Sequence, residues 1–169
     1  MKTRLAVVVA LVLALCTGAA AAAHHRKPPL RKFSYSATGT NSVNITTGEL
    51  SEHWEGTAKP FGQITTDVAG SIQRPTPTTL IVQSTMTIHD GSGDLLIGAC
   101  TGSGILPNPD GSEDWTCQAT GGTGRFKRSR GHWNLHIDIH RVSIANGVQN
   151  NRFTEQGAGR LRWNARARS

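Results

Sequence analysis

Hydrophobic and polar residues alternate with a period of two along much of the chain after residue 33. The clearest stretches are 33–37, 64–72, 78–89 and 132–144, in which one set of alternate positions is mostly apolar or β-branched. Side chains of a β-strand point alternately to its two faces, so this pattern predicts strands with one buried face. Gly, Pro and Thr interrupt every stretch that could carry a helical stripe, and we therefore expect little helix.

Short turn signals separate the predicted strands. The sequence Asp-Gly-Ser-Gly-Asp occupies 90–94, and Asn146-Gly147 is the strongest hairpin signal in the chain. We expect an inserted loop at 101–114, between short strands at 95–101 and 115–119. A succession of about eight short strands predicts an antiparallel sheet, which protects its edges by closing into a barrel or by folding into a sandwich.

The hairpin at Asn146-Gly147 raises a question of register. A two-residue turn there would place Asp138 opposite Glu155, and like charges opposite each other are unfavourable. A shift of one residue would turn every side chain of the strand to the other face. We therefore expect a bulge or a wider loop within 144–153 that returns Phe153 to the face of Ile139. The alternative is a sheet that is covered on both faces, as in a trimer.

The composition is that of one small domain with charged ends. The 169 residues are 37% hydrophobic and carry a net charge of +7. We divide the chain into a signal peptide at 1–23, a basic Pro-containing linker at 24–32, a barrel domain at 33–163 and a basic tail at 164–169. The domain holds nearly equal numbers of basic and acidic residues, so the positive excess belongs to the ends.

The first residues have the layout of a secretory signal peptide. Lys2 precedes an apolar run at 5–15, and small residues lead to a cleavage site after about Ala23. The alternative is lipidation of Cys16, which the large Leu15 before it disfavours. We therefore expect a secreted, extracellular protein with no stable membrane insertion after signal cleavage.

The two cysteines that remain after cleavage are expected to pair. Disulfides persist in exported proteins, and Cys100 and Cys117 flank the turn-forming sequence Asn-Pro-Asp-Gly at 108–111. A reversal there brings the cysteines within two or three residues of register, and a bulge or longer loop supplies the rest.

A glycine-rich motif at 121–132 reads Gly-Gly-Thr-Gly-Arg-Phe-Lys-Arg-Ser-Arg-Gly-His. The motif lacks the glycine spacing and the following Gly-Lys-Ser/Thr of a phosphate-binding loop, and no helix pattern follows it. Its glycines allow a positive φ and close backbone approach, while Phe126 supplies a core anchor. We expect no cofactor.

The same motif resembles the dirigent proteins, and it is similar to the Gly-Gly-(Thr/Ser)-Gly-x-Phe stretch of the allene oxide cyclases. The strand–turn–strand pattern around 88–96 is similar to what precedes the motif in both families. The resemblance covers about 87–139 and implies a closed, antiparallel, eight-stranded all-β barrel with an apolar pocket, assembled as a homotrimer. No catalytic residue is carried over, because the polar pocket positions of those families have no match here.

The basic residues of the motif could suggest a nucleic-acid groove. Arg125, Lys127, Arg128 and Arg130 lie close in sequence to Trp133, and such mixtures of basic and aromatic side chains bind nucleic acids. The near-neutral domain and the export signal argue against this use. We expect no nucleic-acid partner.

Two further groups of titratable residues are candidates for chemistry. His136, Asp138 and His140 share one face of the 132–144 strand and are the candidate metal ligands, although solvation of a polar face explains the pattern as well. Glu49 and Glu52, with Glu55 nearby, could act as paired carboxylates, but such a short polar stretch is more often a loop.

Together these features predict a secreted barrel that binds a small apolar or aromatic molecule and directs its stereochemistry. The expected pocket residues are Val82, Met86, Ile88, Phe126 and Trp133. One alternative is an isomerase or cyclase that acts in the same pocket by confinement. The other is a ligand-free barrel, filled by its own side chains, that associates with the cell envelope.

Overall fold

Eight antiparallel strands make up about three quarters of the computed structural model, which describes residues 29–164. The predicted signal peptide and most of the predicted linker and tail lie outside the described residues. The strands are β1 (Arg31–Asn44), β2 (Glu49–Lys59), β3 (Gly62–Gln73), β4 (Thr79–Asp90), β5 (Leu95–Ile105), β6 (Asp110–Gly122), β7 (Arg130–Ala145) and β8 (Val148–Arg162).

Each strand pairs with the next, and β1 pairs with β8, so the sheet closes into a barrel. The prediction of a closed eight-stranded barrel is therefore confirmed. β1 begins at Arg31, which places the last two residues of the predicted linker in the barrel wall. Within residues 29–164, no helix is long and apolar enough to cross a membrane.

The predicted loop at 101–114 is wrong, because β5 continues to Ile105 and β6 begins at Asp110. The inward positions of β5 after Leu96 are small, namely Gly98, Cys100, Gly102 and Gly104, which hides the hydrophobic alternation from sequence analysis. A side-chain carbon at Gly102 would lie 2.2 Å from Trp115, and one at Gly98 would lie 2.4 Å from Trp133. The two indole rings occupy the space that larger residues on β5 would fill.

The β7–β8 hairpin contains a bulge, but it lies outside the predicted window. The register shifts between Arg141 and Ser143, just before the 144–153 window, and Ile139 lies opposite Phe153 as predicted. The shift also places Glu155 opposite Ile137, and both side chains face the interior.

The glycine-rich motif forms the connection between β6 and β7. Thr123 exchanges hydrogen bonds with Leu95: its backbone N–H donates to the Leu95 oxygen, and its hydroxyl accepts from the Leu95 N–H, both at 2.9 Å. A 3₁₀ turn over Gly124–Phe126 then directs the Phe126 ring into the core. Gly124 has a φ of +45°, and a side-chain carbon there would lie 1.7 Å from Asp94 Oδ1.

Replacing Gly124 with alanine is expected to destabilise the barrel by about 2–4 kcal/mol, because strain at positive φ adds to the clash with Asp94. Gly62 is the matched control, since it has a φ of +81° but no atom near its missing side chain. Gly62→Ala should therefore show the backbone cost alone, about 1 kcal/mol. Equal losses in urea unfolding of the two variants would contradict the role given to Asp94.

A disulfide joins Cys100 of β5 to Cys117 of β6, with Cα atoms 4.1 Å apart and 17 residues of separation. The two cysteines are directly opposite in the register, so the predicted pairing is confirmed. Closing a loop of this size contributes about 3 kcal/mol in the chain-entropy account. Reduction should therefore lower the urea midpoint clearly, and a midpoint that does not move would contradict this expectation.

Candidate binding site inside the barrel

Aromatic side chains close one end of the barrel. The Phe61 ring centroid lies 5.6 Å from that of Phe33 and 5.0 Å from those of Phe126 and Trp163. The Arg125 guanidinium lies over the Phe61 and Phe126 rings, at 5.5 Å and 5.6 Å. This end, which we call the aromatic end, is packed like a protein core.

Acidic residues hold Arg125 at the aromatic end. Its Nη2 lies 2.7 Å from Asp90 Oδ2, and its Nε lies 3.3 Å from Asp94 Oδ2. Nη1 of Arg130, another member of the predicted basic cluster, donates to backbone oxygens of Thr120 and Ser129 at 3.1 Å and 2.8 Å. Two of the four basic side chains in the cluster are therefore already engaged within the protein.

The five predicted pocket residues are all buried, but they divide between two places: Val82, Met86, Ile88, Phe126 and Trp133. Four of them line the interior from β4 and β7. Met86 lies opposite Gly98, and the Trp133 ring lies over the same glycine. Phe126 belongs instead to the aromatic end. Contact of these residues with a ligand stays a prediction.

Three glutamates point into the barrel. Glu52, Glu113 and Glu155 are between 1% and 4% exposed, and we call them the lumen carboxyls. The expectation that 49–55 forms a loop is wrong: this stretch lies in β2, where Leu50, Glu52 and Trp54 face inward and Glu49 and Glu55 face solvent. The glutamates occupy inward positions that the alternation of each strand fixes.

Tyr35 connects one lumen carboxyl to the aromatic wall. Its hydroxyl donates a hydrogen bond to Glu155 Oε1. Its ring stacks on Trp54 at a centroid distance of 5.2 Å and an interplanar angle of 12°. Gly157 lies opposite Tyr35 in the register, and a side-chain carbon there would lie 2.2 Å from the tyrosine ring. Because Gly157 has no side chain, the Tyr35 ring can occupy this position.

A chain of amides leads to a second lumen carboxyl. Gln149 Nε2 donates to Asn151 Oδ1 at 3.0 Å, and Asn151 Nδ2 donates to Asn41 Oδ1 at 2.6 Å. Asn41 Nδ2 then donates to Glu52 Oε1 at 3.1 Å. Because every amide donates in the same direction, the relay ends on the carboxyl as its acceptor. The third carboxyl, Glu113, accepts from Trp115 Nε1 at 2.6 Å.

Burial makes ionisation of the lumen groups unfavourable. Burial raises the pKa of Glu113 to about 7, against the smaller opposing effect of the Trp115 hydrogen bond. Burial likewise raises the pKa of Glu155 to about 7. The pKa values of Glu52 and Tyr35 are raised well above their ordinary values, first by burial and then by the charge of Glu155. Near neutral pH the lumen therefore has carboxyls that can exchange protons.

Several inward-facing polar atoms have no hydrogen-bond partner among the described residues: Glu52 Oε2, Trp54 Nε1, Thr66 Oγ1, Ser84 Oγ, Trp133 Nε1 and Glu155 Oε2. Buried polar groups in native proteins are almost always hydrogen-bonded. A concentration of such atoms on the walls of one interior is the feature expected where buried water or a bound molecule supplies the partners.

The candidate metal ligands lie on the outer face of β7 and do not converge. His136 Nδ1 lies 2.8 Å from Asp114 Oδ1, and His140 Nδ1 lies 2.8 Å from Asp110 Oδ1. Asp138 Oδ1 lies 3.4 Å from His136 Nε2. Within residues 29–164, no group of three or more His, Cys, Asp or Glu is arranged to hold a metal ion. The hydrogen bond to Asp114 raises the pKa of His136.

An open cleft of about 810 Å³ also lies against the outer face of β1, β6, β7 and β8. Its polar lining includes Thr38, Arg152 and the paired side chains of Asp110 and His140. None of the unpartnered buried atoms belongs to this cleft, among the residues that the structure describes. The unpartnered buried atoms are concentrated instead in the barrel interior, among the buried side chains of Trp54, Trp115 and Trp133, and we therefore take this interior, the lumen, as the candidate site.

Comparison with known proteins gives one structural match to report. No protein-family model matches the chain, and the curated proteins give no match. The solved structure of a pterocarpan synthase dirigent protein is similar, with 12% sequence identity and a TM-score of 0.40 over 85% of this chain and 91% of that chain. The closed barrel of this chain follows from its own strand pairing.

Proposed function

We propose that the barrel binds a small aromatic or apolar molecule in its lumen. The observation that carries the proposal is the set of buried, unpartnered polar atoms on walls built from Tyr35, Trp54 and Trp133. Small-molecule sites combine apolar and aromatic walls with a few convergent polar groups. The disulfide is compatible with secretion, which we include in the proposal.

The polar groups would hold such a molecule in one orientation. Carboxyls lie on β2, β6 and β8, while the β4 wall contributes Val82, Met86 and Ile88. A molecule that is hydrogen-bonded to carboxyls on one side and packed against apolar side chains on the other presents one face to a reaction partner. Direction of stereochemistry is therefore the use we propose for the bound state.

Binding can be tested with 2-naphthol, a neutral fluorescent aromatic probe, at pH 7. We expect saturable binding at one site, weakened several-fold by Glu155→Gln and unchanged by Glu55→Gln, whose side chain faces solvent. A titration that never saturates, with the protein shown to be folded, would contradict the proposal. It would favour the alternative function, a ligand-free barrel that associates with the cell envelope.

The hydrogen bond between Tyr35 and Glu155 favours a second candidate function, an isomerase or cyclase in the same lumen. A carboxyl with a pKa of about 7 can both donate and accept a proton near neutral pH. Exchange of the enolisable protons of 2-tetralone into heavy water, followed by NMR, tests this activity. Catalysed exchange should fall about a hundredfold in Glu155→Gln, and exchange equal to that in buffer would exclude enolisation as the reaction.

A further inference from the structure

The lumen has buried acidic groups without basic partners. Within residues 29–164, the buried charged side chains are Glu52, Asp90, Glu113 and Glu155, and no lysine or arginine is among them. Asp90 forms an ion pair with Arg125 at the aromatic end. The half-buried Arg141 donates outward, to Pro107 and Asn108 at the β5–β6 connection. The three lumen carboxyls are left without a cation from the protein.

Aromatic faces stand beside these carboxyls. Trp54 lies two positions from Glu52 on the same face of β2, and its ring is stacked on Tyr35, the partner of Glu155. Indole and phenol rings attract cations through their faces, and the Tyr35–Trp54 stack covers one face of each ring, so a cation would meet the opposite face. Carboxyls and ring faces on the same wall favour a positively charged group over a neutral or negative one.

An independent buried atom points to a ligand at the same place. The hydroxyl of Thr66 is fully buried and has no hydrogen-bond partner among the described residues. Thr66 lies directly opposite Trp54 in the β2–β3 register, beside the neighbouring pair of Glu52 and Val68. Its oxygen can accept a hydrogen bond from the same donor that the carboxyl of Glu52 would bind.

We propose that the molecule bound in the lumen carries a protonated amine on an aromatic or apolar body, with the ammonium held by Glu52 and Glu155. The proposal rests on the function proposed above, that the lumen binds a small molecule. An ammonium has three donors, and Glu52 Oε2, Glu155 Oε2 and Thr66 Oγ1 are acceptors without partners. The unpartnered Nε1 group of Trp54 would donate to an oxygen elsewhere on the ligand.

The carboxyls also determine how protons move on binding. The titratable groups that face the lumen are Glu52, Glu113, Glu155 and Tyr35, on β2, β6, β8 and β1. An ammonium placed beside a carboxyl favours its ionised form. Binding of an amine near pH 7 should therefore release protons, whereas binding of the matching alcohol should not.

The experiment compares matched probes that differ in one group: tyramine against 4-hydroxyphenethyl alcohol, and tryptamine against tryptophol. Titration calorimetry at pH 8 should show the amine binding about tenfold to a hundredfold more tightly than its alcohol. The preference should disappear in Glu52→Gln and in Glu155→Gln and persist in Glu55→Gln. Calorimetry at pH 7 in phosphate and in Tris should show an enthalpy difference, the signature of proton release, for the amines alone.

The possible results separate the two proposals. Equal or tighter binding of the alcohols would overturn the amine inference while leaving a lumen that binds small molecules. Failure of the amines, the alcohols and 2-naphthol would overturn both. If calcium or zinc chloride binds without any amine, and this binding is lost in Glu52→Gln, the inferred ligand is a metal ion and the amine inference is overturned. If either variant fails to fold, the comparison of amine with alcohol on the wild-type protein still decides.

Discussion

Raising the pH from about 5 to about 8 is expected to destabilise the barrel by several kcal/mol. The pKa values of Glu113 and Glu155 are about 7 in the folded protein, against an ordinary value of 4.5. Between these values the folded state binds more protons than the unfolded chain. Their contribution to stability is therefore complete below pH 4.5 and is lost as the pH rises through 7. The raised pKa of His136 acts in the same direction.

Urea unfolding at fixed pH values, with the disulfide intact, measures this dependence. The double variant Glu113→Gln/Glu155→Gln should flatten it, because glutamine does not titrate. The matched control is Glu49→Gln/Glu55→Gln, which changes two exposed side chains of β2 and should preserve the slope. A free energy of unfolding that rises or stays constant from pH 5 to pH 8 would show that the carboxyls are not buried.

Replacing Trp133 with alanine is expected to lower the free energy of unfolding by about 3–5 kcal/mol. The side chain is fully buried and meets the Phe33 ring edge-on at a centroid distance of 5.9 Å. Gly98 lies against the other side of the indole and has no side chain that could move into the space left behind. The cavity should therefore remain open.

Ile144→Ala provides the control, because Ile144 is on the same strand and 51% exposed. Its effect should stay within about 0.5 kcal/mol. Trp133→Phe, which keeps an aromatic ring against Phe33, should fall between the two. A Trp133→Ala protein as stable as the control variant would contradict the packing of this indole inside the barrel.

The hydrophobic alternation was sufficient to predict the strands whose inward side chains are large and apolar. The outward histidines and inward Trp133, Leu135, Ile137 and Ile139 of β7 are placed as the sequence predicts. β2 was not predicted because its inward face includes Glu52. The predicted β5 was too short because the inward face of this strand includes glycines. Both departures have one cause: the interior holds carboxyls and large indoles, so neighbouring inward positions are polar or small.

One lumen carboxyl, Glu155, could have been found from the register argument. Once the bulge returns Phe153 to the face of Ile139, Glu155 must share that face, two positions further along β8. The sequence gives no comparable signal for Glu113, which lies where a loop was expected. That glutamate becomes an interior residue only because β6 starts at Asp110 and pairs with β7 across the barrel wall.

Of the chain's five glutamates, three belong to the lumen and two to the outer face, which makes a direct measurement possible. NMR titration of carboxyl-labelled glutamate, assigned with single Glu→Gln variants, would report each protonation separately. We expect Glu113 and Glu155 to titrate at about 7 and Glu52 well above the ordinary range. Five carboxyls that all titrate like solvated side chains would mean that the barrel encloses no acidic binding site.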